Sequence, residues 1–241
     1  MKNLTFKKID AFATEKSRGN PAGYIQLSSI KELNNLEMLM IAKELKGYVN
    51  EVGFVEQKSE KSFQLKFYSS EREVDFCGHA TVAILNDIIQ NNETLHDLST
   101  LFIETNIGIQ KVINNVKDEN SVFIYAPEPT YYDSTPDINA ICNAMQTPQT
   151  AILQSLPIEV IHAGLKSLII PIKNLSFILQ IAPDINMLKD FCIHHAIDII
   201  VVFTEEVYNS NNNYRVRVFA PTFGYLEDPA TGSGNSALGY Y

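Results

Sequence analysis

Apolar positions near the start of the chain follow a strand pattern cut short by a turn. Residues 5–13 carry Phe6, Ile9 and Phe12, then run into Ser17-Arg18-Gly19-Asn20-Pro21-Ala22-Gly23, a dense cluster of turn formers. The pattern predicts a strand followed by a tight loop. Over residues 31–46, Leu33, Leu36, Leu39, Met40 and Leu45 recur at offsets of three and four, the spacing of an amphipathic helix. Ser28 or Ser29 can cap its start, and Gly47 stands where a helix stops. Phe63, Leu65 and Phe67 alternate with polar residues as in a half-buried strand, and residues 101–105 and 109–113 flank Asn106-Ile107-Gly108 as a hairpin.

Residues 116–120 are polar and charged, and a new series of strands is expected to begin at Val122-Phe123-Ile124-Tyr125. Further strands are predicted at 158–162, 168–172, 177–181, 199–203 and 215–220, with helices at 136–145 and 184–195. Both halves mix strands with a few helices. The expectation is an α+β protein of two lobes, 1–117 and 118–241. An internal repeat supports the division: Phe76-Cys77-Gly78-His79-Ala80-Thr81-Val82-Ala83 lies on Ala230-Thr231-Gly232-Ser233-Gly234-Asn235-Ser236-Ala237 at an offset of 154 residues. Each copy is a glycine-containing turn, with an acid just upstream (Asp75, Asp228), opening onto small helix-forming residues. Glycine lets a ligand approach the backbone, and a helix start offers unpaired N–H groups and the positive end of its dipole. Two such starts facing one another would make an anion-binding cleft suited to a carboxylate-bearing substrate.

Composition narrows the class. The 241 residues are 45% hydrophobic and 20% charged, with a net charge of −9. That balance excludes disorder as the chain's main character. No apolar run reaches the ~20 residues that span a bilayer, so no membrane partner is expected. The acidic balance argues against a nucleic-acid partner, which needs a clustered basic face. Met1-Lys2-Asn3-Leu4-Thr5-Phe6-Lys7-Lys8 has positive charge but no apolar h-region behind it, so no signal peptide is expected. Three cysteines, Cys77, Cys142 and Cys192, fit reduced thiols and a cytoplasmic location.

The richest segment chemically is Asp228-Pro229-Ala230-Thr231-Gly232-Ser233-Gly234, which concentrates hydroxyls and backbone donors at a loop-to-helix junction. It can equally be an ordinary helix start capped by Asp228 or Thr231. It is not a P-loop, because no lysine follows the second glycine. His79 follows Cys77 by two residues, and either can be a buried structural residue. At a helix N-terminus Cys77 can also be a nucleophile or proton-transfer thiol. No second close-spaced Cys/His pair completes a zinc site, since His194-His195 has only Cys192 beside it, so no metal is expected. Glu51 stands among the strand-forming residues Tyr48-Val49-Asn50-Glu51-Val52-Gly53-Phe54-Val55. Such an acid commonly points to solvent; facing a cleft, it would be desolvated towards the range useful for moving a proton to or from carbon.

Four segments, in order, resemble the PhzF-like phenazine-biosynthesis isomerases, which share the diaminopimelate-epimerase-type fold. They are Asp10-Ala11-Phe12 with Gly19-Asn20-Pro21-Ala22-Gly23; Asn50-Glu51-Val52-Gly53-Phe54-Val55; Glu73-Val74-Asp75-Phe76-Cys77-Gly78-His79-Ala80-Thr81; and Arg217-Val218-Phe219-Ala220-Pro221 leading into Glu227-Asp228-Pro229-Ala230-Thr231-Gly232-Ser233-Gly234. The resemblance implies two similar lobes, each a mixed or antiparallel sheet wrapped around a central helix, with the active site in the inter-lobe cleft. It implies proton transfer between carbons of a small carboxylate-bearing metabolite, without cofactor or metal, and a homodimer. Glu51 matches the family's acid/base, and His79 and Asp228 match positions that assist proton movement and hold polar substrate groups. Gly78 and Ser233 match positions that bind the substrate's carboxylate, and Gly232, Cys77, Thr231 and Asn20 lie in the same matching segments as substrate-binding candidates.

Two features depart from the family pattern. Cys77 falls where proline racemases and diaminopimelate epimerases carry a catalytic cysteine, with Thr231 at the partner position. A cysteine–threonine pair resembles the hydroxyproline-dehydratase arrangement. An amino-acid epimerase, racemase or dehydratase is therefore the alternative chemistry, and a non-catalytic small-carboxylate binder the alternative class. Family members also usually continue beyond the helix that begins near Gly234, so the resemblance leaves open a chain shortened at its C-terminus. Substrate identity, phenazine precursors included, lies outside what these residues specify.

Overall fold

The computed structural model describes residues 3–15 and 17–241, so Met1 and Lys2 of the N-terminal segment read above for a leader lie outside it. The chain divides into two compact units, Met1–Ala126 and Pro127–Tyr241. The first contains β1 (Phe6–Ala11), β2 (Asn20–Leu27), α1 (Asn35–Glu44), β3 (Glu51–Ser59), β4 (Ser62–Ser69), β5 (Glu73–Val74), α2 (Gly78–Gln90), α3 (Glu93–His96), β6 (Thr100–Thr105), β7 (Gly108–Asn115), α4 (Val116–Glu119) and β8 (Ser121–Ile124). Its eight-stranded sheet runs β1-β2-β3-β4-β6-β7-β8, with β5 on β4. The second unit contains β9 (Thr130–Tyr132), α5 (Ile138–Met145), β10 (Glu159–His162), β11 (Lys166–Pro171), α6 (Leu175–Gln180), α7 (Ile185–His194), β12 (Ile199–Thr204), β13 (Arg215–Phe219), β14 (Glu227–Asp228) and α8 (Gly232–Tyr240). Its sheet order is β14-β13-β12-β11-β10-β9.

The repeat glimpsed in the sequence is built into the topology. Along β1 to β5 the pairings are antiparallel, parallel, antiparallel and antiparallel. Along β10 to β14 the same senses recur in the same order. Both β5 to β14 and α2 to α8 are separated by 154 residues, and Cys77 and Thr231 occupy the same N-cap position. The two acids are not equivalent, however. Asp228 occupies the second residue of its short strand and is buried, whereas Asp75 falls one residue past β5 and is exposed.

In each unit one helix packs on the sheet's inner face. Nine residues of α2 are buried, and it packs on β1, β2, β3 and β8. A helix buried on most of its circumference is what a near-continuous apolar run dictates. Ile84, Leu85 and Ile89 are fully enclosed, each stabilising the fold by roughly 1.5–3 kcal/mol through removal from water. The sheet can approach α2 closely because Gly53 faces it: a Cβ there would lie 2.5 Å from Ile84 Cδ1. In the second unit α8 packs on β10, β11 and β12.

Several sequence expectations are corrected. The turn formers at 17–23 make a turn only as far as Gly19, which has φ +72°, and Asn20 already opens β2. Pro21 has no N–H to give the ladder, but its carbonyl still accepts from Asn50 N–H at 3.2 Å. The helix expected over 31–46 is a short 3-10 turn (Ile30–Glu32) followed by α1, because Asn34 and Glu37 form a reciprocal capping box that begins a new helix. Residues 177–180 fall in α6, not a strand, and Ile181 caps its C-terminus: Asn174 Oδ1 accepts from Phe177 N–H at 2.9 Å, with Ile178 buried and Leu179 exposed. The strand at 121–124 pairs with β7, so the first unit ends at Ala126 and not near residue 117.

Candidate active site

Glu51 is the first residue of β3, held by Ala22 of β2 on one side and Ser69 of β4 on the other. Immediately before it, Asn50 Nδ2 donates to Asn20 Oδ1 at 3.0 Å, and Asn20 is fully buried. Asn20 thus braces the strand start that carries Glu51. The Glu51 side chain is 3% exposed, so the solvent-facing reading of this acid does not hold.

Cys77 and His79 reach Glu51 from the start of α2. His79 Nε2 lies 3.3 Å from Glu51 Oε2. Cys77 Sγ lies 3.6 Å from His79 Nδ1. Thiol, imidazole and carboxyl donors therefore converge, one atom of each within 4.8 Å of the others, and all three side chains are buried. At Nδ1 the ring can accept from the thiol or donate to the thiolate, while Nε2 stands at ion-pair distance from the Glu51 carboxyl. The Cys77 side chain makes no capping hydrogen bond to α2, whose first turn begins at Gly78, also buried. Thr81 Oγ1 donates to the Cys77 carbonyl at 2.8 Å and fixes the turn from within.

In the second unit, Asp228 pairs with Val218 across β13 and β14 and is 8% exposed. Thr231 caps α8, its Oγ1 accepting from Gly234 N–H at 3.3 Å. Thr231 and Ser233 are buried, and Gly232 between them is half-buried. The structure thus gathers Glu51, Cys77, Gly78 and His79 at one strand–helix junction, and Asp228, Thr231, Gly232 and Ser233 at the equivalent junction of the repeat.

Two features escaped sequence reasoning. The spacing argument about metal ligands considered only Cys and His, whereas folding brings Glu51 from 26 residues upstream to the same place. The other is Arg217, which anchors the strand bearing Asp228. Its Nε and Nη2 donate to both oxygens of Glu227, and its Nη1 donates to the carbonyls of Ile178 and Ile181. A separate cavity of about 460 Å³ opens beside β1, α2 and β8, lined by Asp10, Phe12, Asn86, Asn120 and Phe123 among others. None of the sequence-predicted site residues lines it.

A paired repeat of this topology, each copy delivering polar residues at a strand–turn–helix junction, defines a diaminopimelate-epimerase-type fold. The profile of the family described as "PhzC-PhzF: Phenazine biosynthesis-like protein" matches residues 9–241, and the chain belongs to that family. It is 27% identical over 243 residues to "Uncharacterized isomerase YfhB" of Bacillus subtilis, covering 100% of this chain and 81% of the relative. It is 28% identical over 234 residues to "Uncharacterized isomerase YddE" of Escherichia coli, covering 96% and 76%. Among solved structures it resembles the Bacillus anthracis phenazine biosynthesis protein of the PhzF family, with a TM-score of 0.82 and 25% identity over 99% of this chain and 79% of that one. Among the described residues, no helix is long and apolar enough to cross a membrane.

Proposed function

We propose that the protein is an isomerase that moves a proton between carbons of a small carboxylate-bearing metabolite, with Glu51 as the acid/base. The observation that carries this reading is the Glu51 carboxyl, 3% exposed and 3.3 Å from an equally buried imidazole. Family membership and relatives named as isomerases support the reaction class. A proton on carbon beside an unsaturated or carbonyl-bearing group is weakly acidic, so its removal needs a poorly hydrated base and donors for the charge left behind. Glu51 removes that proton and returns it to another carbon, shifting a double bond. His79 takes up the matching hydrogen-bond role as Glu51 changes state. The amide that begins α2 at Gly78 holds the substrate's carboxylate; at the equivalent junction of the repeat, Gly232 and Ser233 are the matching carboxylate-binding candidates and Asp228 the group that assists proton movement. Thr231, Cys77 and Asn20 complete the substrate surroundings in this assignment.

Incubation of a panel of small unsaturated or carbonyl-bearing carboxylates in heavy water tests the proposal. Deuterium should enter a carbon position with the parent protein and not with Glu51→Gln, while Cys77→Ser keeps most of the exchange. One observation favours a second reading. Cys77 Sγ lies within 3.6 Å of His79 Nδ1, close enough for the imidazole to take the thiol proton, as a cysteine-dependent epimerase, racemase or dehydratase with Thr231 as partner would require. Exchange lost in Cys77→Ser and retained in Glu51→Gln would transfer the assignment to that chemistry.

A further inference from the structure

We propose that Glu51, Cys77 and His79 form a binding site for a thiophilic divalent ion, Zn²⁺ above all, and that the ion competes with the proton Glu51 must carry. One donor atom from each residue lies within 4.8 Å of the others. Zinc bonds of about 2.3 Å to sulfur and 2.0–2.2 Å to nitrogen or oxygen place tetrahedral ligands roughly 3.4–3.6 Å apart. The Cys77 Sγ to His79 Nδ1 separation of 3.6 Å already equals such an edge. Bringing the remaining donors to the same spacing takes side-chain shifts of about 1 Å, with Glu51 free to present either oxygen.

The donor set and its charge also suit such an ion. Thiolate, imidazole and carboxylate together select zinc over magnesium or calcium, which prefer oxygen alone. A divalent ion with one thiolate, one carboxylate and a neutral imidazole sums to zero charge, so the filled site avoids the cost of a net buried charge. Binding releases the thiol proton, and any proton on Glu51, to the buffer. The thiolate then sits at the N-cap of a 13-residue helix, where the dipole favours negative charge. Two ligands lie two residues apart at this helix start, and the third is on a strand paired on both sides, so the backbone pre-arranges all three. Three protein ligands leave a fourth position for water or a substrate carboxylate.

Ion binding stands independently of turnover; the inhibitory consequence rests on the assignment of Glu51 above. The test is calorimetric titration of chelator-stripped full-length protein with Zn²⁺, alongside Co²⁺ absorption spectroscopy. One equivalent is expected, with a thiolate-to-cobalt band in the near ultraviolet. Cys77→Ser should abolish the band and weaken Zn²⁺ binding at least tenfold. Glu51→Gln should weaken it similarly, and a His194→Ala/His195→Ala variant should leave it unchanged. Parent binding no tighter than that of Cys77→Ser and Glu51→Gln, or binding lost only in the His194/His195 variant, would overturn the site. Circular dichroism shows whether each variant is folded, and either single variant suffices if the other is not. Zn²⁺ should also suppress deuterium exchange, with recovery on chelation. Ion binding with these dependences but no Glu51-dependent exchange would leave the metal site standing and sink the catalytic assignment; the reverse would sink the metal site alone.

Discussion

Replacing Arg217 by alanine removes the clamp that joins α6 to β14. The guanidinium donates to Glu227 at 2.8 and 2.7 Å and to the carbonyls of Ile178 and Ile181 at 2.8 and 2.7 Å. It also lies 4.9 Å from the centroid of Phe219. The two carbonyls belong to the end of a helix, where no intrahelical partner is available. Each charge-assisted bond to them is worth about 1–1.5 kcal/mol after allowance for partial solvent access. The Arg217 side chain is 14% exposed but that of Glu227 is 36%, so screening holds their ion pair to about 0.5–1 kcal/mol. Arg217→Ala should therefore cost about 2.5–4 kcal/mol, and Arg217→Lys about half as much, since lysine keeps the charge but not the fork. Urea denaturation followed by far-ultraviolet circular dichroism measures the loss. A double-mutant cycle with Glu227→Gln should return a coupling of about 0.5–1 kcal/mol. A cost below about 1 kcal/mol for Arg217→Ala, or no coupling to Glu227, would refute the clamp. Because Asp228, proposed above to assist proton movement, follows Glu227 directly, the same substitution should also lower kcat in any assay that reports turnover.

Two further outcomes follow from local geometry. Gly19→Ala would place a Cβ 2.2 Å from the Ala11 carbonyl oxygen at a φ of +72°, so it should destabilise the first unit by at least ~2 kcal/mol in urea denaturation, and a neutral result would contradict the described turn. The Glu56 carboxylate accepts from Ile30 N–H at 2.7 Å and lies 2.9 Å from Lys58 Nζ; the backbone donor first, and then Lys58, hold its titration below the ordinary carboxylate value. The unfolded chain therefore takes up this proton first as pH falls, so the contribution is intact above the unfolded value and lost as pH drops through the folded one. Glu56→Gln should flatten the acid limb of a stability–pH curve, and an unchanged limb would remove Glu56 from the account.

Where the sequence was legible, one period dominated; where it was not, two local preferences competed. The 101–105 and 109–113 hairpin is β6 and β7, because alternation and turn chemistry agree there. At 177–181 an apolar run fits either a strand or a buried helical turn, and only the Asn174 cap decides between them. The turn formers around Gly19 hid the start of β2, since proline and asparagine are strand-averse until the fold gives each another partner. The repeat was legible as small residues at a constant offset, but its meaning lies in strand senses that no single segment carries. At the site, the adjacency of Cys77 and His79 was readable from their spacing. Glu51 joins them only because β3 packs on α2 through the space left by Gly53, a contact between distant segments.

Proton transfer by Glu51, as proposed above, requires its carboxyl to meet the substrate's carbon. A crystal structure of the protein with an unreactive small carboxylate identified by the exchange panel measures this directly. A Glu51 oxygen is expected within about 3.5 Å of the carbon that exchanges, with the ligand's carboxylate on the amide of Gly78. A ligand seated instead in the cavity beside Phe12 and Phe123, with Glu51 still turned only to His79, would contradict it.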